Sequence, residues 1–169
     1  FRPGLWAGGR HGVRGGDPLQ IDTKYFGPVE YEEGDLLRFP NGLFGFEAEH
    51  SFLLLPFAGS NGSLLSLQSV STPALAFVVI DPFSLCPAYT PALSPEELRF
   101  LGVKESGELG YYVLCVVKEP VSESTVNLRC PVVIHPDDHT AIQVILEDTP
   151  YHMRHRLGDF SHGGGASPC

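Results

Sequence analysis

The chain has 169 residues, of which 43% are hydrophobic, and its formal net charge at pH 7 is −9. This length suits one domain that buries a core without disulfides or metals, and the negative charge disfavours direct nucleic-acid binding, because phosphates attract basic surfaces. No apolar run of about 18 residues is present to span a membrane, and residues 1–20 lack the apolar stretch of a signal peptide, so we expect a cytoplasmic protein.

Gly-rich sequence without hydrophobic periodicity lies near both ends of the chain. Residues 1–20, which also carry several Arg, and residues 158–169 are predicted to be disordered extensions. The remaining segment, residues 21–157, is predicted to form one β domain. It contains 18 acidic and 8 basic residues, so the negative charge is concentrated there. This excess suits either solubility alone or the attraction of a basic partner.

Short apolar or β-branched runs, separated by turn residues, predict that most of this segment is β-structure. In chain order, the predicted strands are residues 21–26, 36–39, 52–57, 64–68, 74–80, 111–117, 126–128, 132–134 and 141–146. Pro131 interrupts the pattern between two of these runs and indicates a bulge or a strand edge.

One segment, residues 94–102, carries the signals of a short helix instead. Ser94 can cap its start, Pro95 suits the first helical position, and Glu97 completes a capping box. Gly102 suits the end of the helix, because glycine readily adopts the left-handed conformation. Many short strands with one short helix indicate an all-β fold, specifically a compact antiparallel β-barrel or roll.

The first candidate binding segment is an acidic turn, in which Glu32, Glu33 and Asp35 lie close to Tyr31. Such a turn is most often simply solvated. Carboxylates around an exposed tyrosine also suit a basic protein surface, since tyrosine anchors interfaces and charges steer encounter. We therefore predict that the three carboxylates contribute to partner binding.

The second candidate segment, residues 39–47, places three Phe and a Leu around two Gly and a Pro. The glycines suit turns, so the aromatic side chains could plug one end of the barrel. Alternatively, some of them form an exposed binding patch. The pattern leaves both interpretations open, and we predict Phe44, Phe46 and Glu47 as partner-binding residues.

No nucleophile elbow, P-loop or dinucleotide fingerprint occurs in the sequence, so no catalytic activity and no cofactor are predicted. One cluster suggests a different function: His135, Asp137, Asp138 and His139. Imidazole and carboxylate groups this close can ligate a metal, which gives the alternative of a metal- or small-ligand-binding β-barrel. A solvated turn between two strands explains the same residues more simply, because the helical spacing of HExxH-type metal motifs is missing.

Several short motifs follow one another in a fixed order. They are FPNGLFGFE at 39–47, LQS at 67–69, AFVVIDP at 76–82, TVNLRCPVVI at 125–134, and QVIL at 143–146 with Tyr151 after it. In order and spacing they resemble the motifs of the FliW family of flagellar assembly factors, whose signature reads GLPGFE. Phe44 stands where that signature has Pro. The resemblance extends from about residue 21 to residue 157.

The resemblance implies a non-enzymatic, mainly antiparallel β protein. Proteins of this family bind the translational regulator CsrA, relieve its repression of flagellin mRNA, and also bind flagellin, so both proteins are implied as partners. Polar residues at motif positions are then expected to take part in binding, and we predict this role for Gln68, Ser69, Asn127 and Gln143. A partner that holds RNA must be basic, which fits the acidic excess of the domain.

Overall fold

Strands dominate the part of the chain that the structure describes, residues 19–160 of a computed structural model. Within that part, eleven strands follow in chain order: β1 (Leu19–Thr23), β2 (Gly27–Tyr31), β3 (Leu37–Arg38), β4 (Ser51–Pro56), β5 (Leu64–Ser69), β6 (Ala76–Ile80), β7 (Gly110–Val116), β8 (Thr125–Val126), β9 (Val132–Ile134), β10 (Ala141–Gln143) and β11 (His155–Arg156). The β-dominated class expected from the sequence is confirmed.

Nine of the strands described here form one sheet, whose ladders are antiparallel. Its main path runs β10-β9-β7-β6-β5-β4-β3, while β8 pairs with β7 and β11 pairs with β8. The two ends of the path approach each other, because Arg38 in β3 forms a parallel bridge with Thr140, directly before β10. The Arg38 amide donates to the carbonyl oxygen of His139 at 2.9 Å. The sheet is therefore curled, and this single bridge joins residues near the two ends of its main path.

The inner face of the curled sheet holds one hydrophobic core. All strands of the main path contribute to it, because alternate side chains of a strand point to the same face. Its buried members are Leu37, Phe39, Leu43, Phe52, Leu54, Leu65, Leu67, Val79, Tyr112, Val132, Ile134 and Ala141. Side chains from both ends of the path thus pack together, and burial of this apolar surface stabilises the curled form.

Two further cores lie on the outer face of the sheet. The larger one packs outward side chains of β7 and β9 against the segment between β6 and β7, including Tyr89 and Leu101. The smaller one packs Ile21 of the β1–β2 hairpin against Leu53 and Leu55 of β4. The same strands therefore support packing on both of their faces.

The β1–β2 hairpin replaces the single strand expected at residues 21–26. Gly27 adopts a positive φ of 65°, and the Thr23 hydroxyl donates to its carbonyl oxygen at 2.8 Å, so the chain reverses after Thr23. β2 has the sequence GPVEY, in which Gly, Pro and Glu interrupt the apolar pattern. This interruption is the reason why the pattern did not predict the second strand.

The described domain is slightly wider than the predicted residues 21–157. β1 begins at Leu19, and a 3-10 helix covers Leu157–Asp159. The rest of the two predicted disordered extensions, residues 1–18 and 161–169, lies outside the described residues.

Two short α-helices lie between β6 and β7: α1 (Pro82–Leu85) and α2 (Pro95–Leu101). α2 has the predicted ends, with a capping box of Ser94 and Glu97 and a left-handed Gly102 at φ 76°. α1, which follows Asp81 directly after β6, is not predicted from the sequence. The Asp81 side chain caps α1 by accepting a hydrogen bond from the Phe83 amide at 2.9 Å. Neither these helices nor any other in residues 19–160 could serve as a membrane span.

β7 changes its neighbour half-way along. Its first three residues pair with β9, whereas Cys115 and Val116 pair with β8. The sheet therefore splits beside β7, and residues 127–131 cross the split from β8 to β9. The expected interruption at Pro131 lies here, where its carbonyl oxygen accepts a hydrogen bond from the Val144 amide at 3.1 Å.

Candidate protein-binding surface

The loop between β3 and β4 covers one end of the inner core. Phe39 and Leu43 are buried in that core. Gly42 makes the necessary turn: its φ is 66°, and an added Cβ would lie 2.6 Å from the Cα of Glu47. Leu43 and Phe46 then form an antiparallel bridge, which narrows the loop towards its apex. Only glycine allows this close approach of two backbone segments.

The apex of this loop displays two aromatic side chains. Phe44 is 49% exposed and Phe46 is 41% exposed. The Phe44 amide donates to Oε1 of Gln143 at 2.9 Å. The next amide, that of Gly45, donates to Oε2 of Glu47 at 3.0 Å. These two side chains thus fix the backbone of the apex. Binding of a partner at the apex would therefore cost little conformational entropy of the loop.

Phe46 connects this surface with the inner core. Its ring packs edge-on against Phe77 with the centroids 5.0 Å apart, and Phe77 lies 6.4 Å from the ring of Phe52. The rings of Phe52 and Phe39 are 5.0 Å apart. The structure therefore combines the two interpretations of the segment: Phe39 closes the core, while Phe44 and Phe46 face solvent.

Asn127 and Gln143 both bind the backbone of Cys130. The Cys130 amide donates to Oδ1 of Asn127 at 2.9 Å, and Nε2 of Gln143 donates to the Cys130 carbonyl oxygen at 3.2 Å. Both side chains are partly buried. Since Gln143 also holds the Phe44 amide, the structure brings Phe44, Asn127 and Gln143 together, and their roles in partner binding stay predictions. In this conformation the two amide side chains position the loop and the split in the sheet.

Gln68 lies in the interior and not on a binding surface, so its prediction as a partner-binding residue is corrected. The residue is 0% exposed. Its Oε1 accepts from the Lys24 amide at 2.9 Å, and its Nε2 donates to the carbonyl oxygen of Pro73 at 2.9 Å. The side chain thereby satisfies backbone groups that the fold buries or half-buries.

Ser69 is likewise 0% exposed, and its prediction as a partner contact is corrected for the same reason. Its hydroxyl donates to Oε1 of Glu49, while the Thr72 hydroxyl donates to Oε2 of Glu49 at 2.7 Å. These hydrogen bonds to the charged carboxylate lower the pKa of Glu49. Ser69 therefore helps to hold the end of the loop that precedes β4.

The acidic turn forms a 3-10 helix at Glu33–Asp35, in which Oδ2 of Asp35 accepts from the Glu32 amide at 2.9 Å. Glu33 is exposed. Tyr31 is only 8% exposed, so the expectation of an exposed tyrosine beside these carboxylates is wrong. Burial, with the charge of Glu33, raises the pKa of Tyr31. The turn precedes β3. The loop between β3 and β4, which we call the aromatic loop, follows β3, so the two predicted binding segments lie at opposite ends of this strand.

The cluster around His135 is a turn between β9 and β10, and the alternative of a metal site is wrong. Nδ1 of His135 accepts from the amides of Asp137 and Asp138 at 3.1 and 3.3 Å. His139 has a positive φ of 63°, and the Thr140 amide donates to Oδ1 of Asp138 at 2.9 Å. Within residues 19–160, no group of three His, Cys, Asp or Glu side chains is arranged to hold a metal ion.

Comparison with known proteins decides the family. The sequence model of the FliW protein family matches residues 20–157. The chain belongs to the FliW family. The flagellar assembly factor FliW of Geobacillus sp. strain WCH70 is 40% identical over 139 residues, which are 82% of this chain and 95% of the relative. FliW of Caldanaerobacter subterraneus subsp. tengcongensis is 35% identical over 139 residues, 82% of this chain and 93% of the relative.

A solved FliW structure shows the same fold. The crystal structure of the flagellar assembly factor FliW matches with a TM-score of 0.77 and 40% sequence identity, covering 82% of this chain and 96% of that one. Within this FliW fold, sequence reasoning missed Phe77, whose ring supports Phe46. Phe77 lies in an apolar strand run, a pattern that indicates core and carries no signal for a surface role.

Proposed function

We propose that this chain is a non-enzymatic cytoplasmic regulator of flagellar assembly that binds CsrA in one state and flagellin in another. While flagellin occupies the chain, CsrA stays active. When flagellin is exported, the released chain antagonises CsrA and flagellin synthesis resumes. Membership of the FliW family supports this role, since the relatives carry the name flagellar assembly factor.

The aromatic loop is the observation that best supports a protein-binding role. Phe44 and Phe46 are close to half exposed on a backbone that Gln143 and Glu47 hold in place. Exposed aromatic side chains in ordered positions are typical anchors of protein interfaces. The acidic excess of the domain, 18 acidic against 8 basic residues in 21–157, would favour encounter with a basic partner.

Calorimetric titration of the full chain with purified CsrA, and separately with flagellin, tests the proposal. We expect heat of binding with each protein, and no CsrA binding after the chain has been saturated with flagellin. A gel-shift assay with flagellin mRNA should show that the free chain releases CsrA from RNA. Absence of binding to both proteins contradicts the proposal, and simultaneous binding of both contradicts the alternation.

A further inference from the structure

Two asparagines of this chain are followed directly by glycine, and the two pairs lie in turns on either side of β4. Asn41 and Gly42 belong to the aromatic loop, which precedes β4, whereas Asn61 and Gly62 lie between β4 and β5. Both asparagines are exposed. Since the two pairs have the same sequence, a difference in their chemistry has to come from the fold around them.

Asn61 and Gly62 are the two central residues of a tight hairpin turn. Their φ angles are 55° and 80°, and the Ser63 amide donates to the Ser60 carbonyl oxygen at 3.1 Å. Two residues of positive φ enclosed by one such bond are typical of a type I′ turn. The bond that closes the turn does not use the Gly62 amide, which finds no acceptor within residues 19–160. The nitrogen that follows Asn61 is therefore free to react.

The space around Gly62 is open as well. A Cβ built on this glycine would meet no atom within 4 Å, so the Asn61 side chain can approach the Gly62 nitrogen without displacing another segment. Rotation of the backbone here disturbs only local bonds, namely those from the Ser63 amide and hydroxyl to the Ser60 carbonyl oxygen. Exposed turns held by so few bonds open at a low free energy.

Gly42, in contrast, is held firmly. It is buried, its amide donates to the Phe39 carbonyl oxygen at 3.0 Å, and a Cβ there would lie 2.6 Å from the backbone of Glu47. The residue after it, Leu43, is buried in the inner core. Freeing the Gly42 nitrogen thus requires the aromatic loop to open and to expose core surface, which costs more than the opening of an exposed turn.

We propose that Asn61 is a site of spontaneous modification, at which its side-chain amide becomes a carboxylate through a cyclic imide. The Gly62 nitrogen loses its proton to hydroxide and attacks Cγ of Asn61. The new N–Cγ bond closes a succinimide ring, while the side-chain nitrogen takes a proton from water and leaves as ammonia. Water then opens the ring: addition at Cγ breaks the N–Cγ bond and gives aspartate. Addition at the main-chain carbonyl carbon breaks the original peptide bond and gives isoaspartate.

Both products change the β4–β5 turn. Each adds a negative charge to a domain that is already acidic. In isoaspartate the backbone also runs through Cγ, so the turn gains one backbone carbon and its type I′ geometry no longer fits. Because the turn sets the register of a hairpin, we expect the pairs nearest to it to loosen, such as Pro56 with Leu65.

Incubation of the full chain at mildly alkaline pH, followed by peptide mass spectrometry, measures the conversion at Asn41 and Asn61 separately. The same incubation in concentrated urea is the matched control, because unfolding gives the two Asn-Gly pairs equivalent surroundings. Methylation by an isoaspartyl methyltransferase with a labelled methyl donor detects isoaspartate independently. Asn61→Gln removes the reactive amide, since the longer side chain would have to close a larger ring, and thermal unfolding checks that this variant is folded.

In the native chain we expect Asn61 to be converted at least about tenfold faster than Asn41, and in urea the two rates should agree within about threefold. The methyl label should be lost in native Asn61→Gln. A smaller ratio in the native chain overturns the proposal, and so does an unmodified Asn61 over the time in which the unfolded chain is converted. An undiminished label in folded Asn61→Gln also overturns it, because the isoaspartate would then lie elsewhere.

Discussion

Gln68 joins separate segments of the chain through one side-chain amide. It accepts from the Lys24 amide in the β1–β2 turn and donates to the carbonyl oxygens of Pro73 and Leu75. Gln68→Ala removes these bonds and leaves partly buried backbone groups unpaired. We expect the free energy of unfolding to fall by about 2 kcal/mol in urea denaturation. Gln143→Ala should lower the free energy of unfolding by less, because Gln143 is less buried than Gln68. Equal losses in the two variants would show that burial of the unpaired groups does not determine the destabilisation.

His155 makes the stability of the domain depend on pH. It is 7% exposed, and its Nε2 accepts from the His152 amide at 2.8 Å. Burial lowers the pKa of His155 and the neighbouring His152 lowers it further, while Asp159 acts in the opposite direction. The unfolded chain therefore binds the proton at a higher pH than the folded chain. The contribution of this residue to stability is complete above about pH 6.5 and is lost as the pH falls below that value and through the lower pKa of the folded chain.

His155→Gln can keep a hydrogen-bond acceptor but has no ionisable ring. We expect the free energy of unfolding of this variant to decline less than that of the wild type between about pH 7.5 and pH 5.5. Denaturant titrations at a series of pH values measure this difference. Parallel pH profiles for the two proteins would assign the decline to other groups.

At the scale of elements, the aromatic loop depends on one close backbone approach. Gly42 and Gly45 both have positive φ, 66° and 84°. A Cβ at Gly42 would lie 2.6 Å from the backbone of Phe46 and Glu47, whereas a Cβ at Gly45 meets nothing within 4 Å. Gly45→Ala should therefore cost only the strain of the left-handed conformation, about 1 kcal/mol. Gly42→Ala should cost clearly more and should also weaken partner binding.

Denaturation and calorimetry of this glycine pair separate the two costs, because the conformational term is common to both variants. The prediction is contradicted if Gly45→Ala is the more destabilising of the two. Preserved partner binding in Gly42→Ala would show that the positions of Phe44 and Phe46 do not depend on this turn.

The elements that could be predicted from the sequence are those specified by local signals. The capping box of Ser94 and Glu97 and the left-handed Gly102 define α2 within a few residues, and the structure has these ends. β2 could not be predicted, because Pro28 and Glu30 interrupt its pattern and its partner β1 decides its conformation. Along β7 the neighbouring strand changes from β9 to β8. This change depends on the pairing of the whole sheet, so no local sequence pattern predicts it.

The candidate site shows the same limit. Gln68 and Gln143 both stand in recognisable motifs, and their neighbouring residues do not distinguish them. Long-range strand pairing places Gln68 in the middle of the sheet and Gln143 in β10, the last strand of the main path. Phe44 and Phe46 could be proposed as binding residues from the composition of the segment. Only the fold of the loop shows that these two side chains are exposed whereas Phe39 is buried in the core.

At the scale of the whole molecule, the acidic excess should govern association rates. Long-range attraction between this domain and a basic partner is screened by salt, with a Debye length of about 10 Å at 0.1 M ionic strength. We expect the association rate constant with CsrA to fall steeply with salt in stopped-flow or surface-based kinetics, and the dissociation rate constant to change much less.

Two charge reversals locate this effect. Glu33→Lys lies in the acidic turn, and Glu96→Lys lies in α2; both positions are exposed and the change in net charge is the same. Glu33→Lys should reduce association more than Glu96→Lys if the turn faces the partner. Equal reductions would indicate that net charge alone steers the encounter.

The side chain of Gln143 connects two parts of the molecule, the aromatic loop and residues 127–131. Its Oε1 holds the Phe44 amide and its Nε2 holds the Cys130 carbonyl oxygen. A ligand that draws the Phe44 amide away also frees this side chain to release Cys130. We therefore expect ligand binding at the loop and local opening of residues 127–131 to be linked equilibria, in which each changes the other by the same free energy. The exchange rate of the Cys130 amide with deuterium is the quantity that reports this linkage.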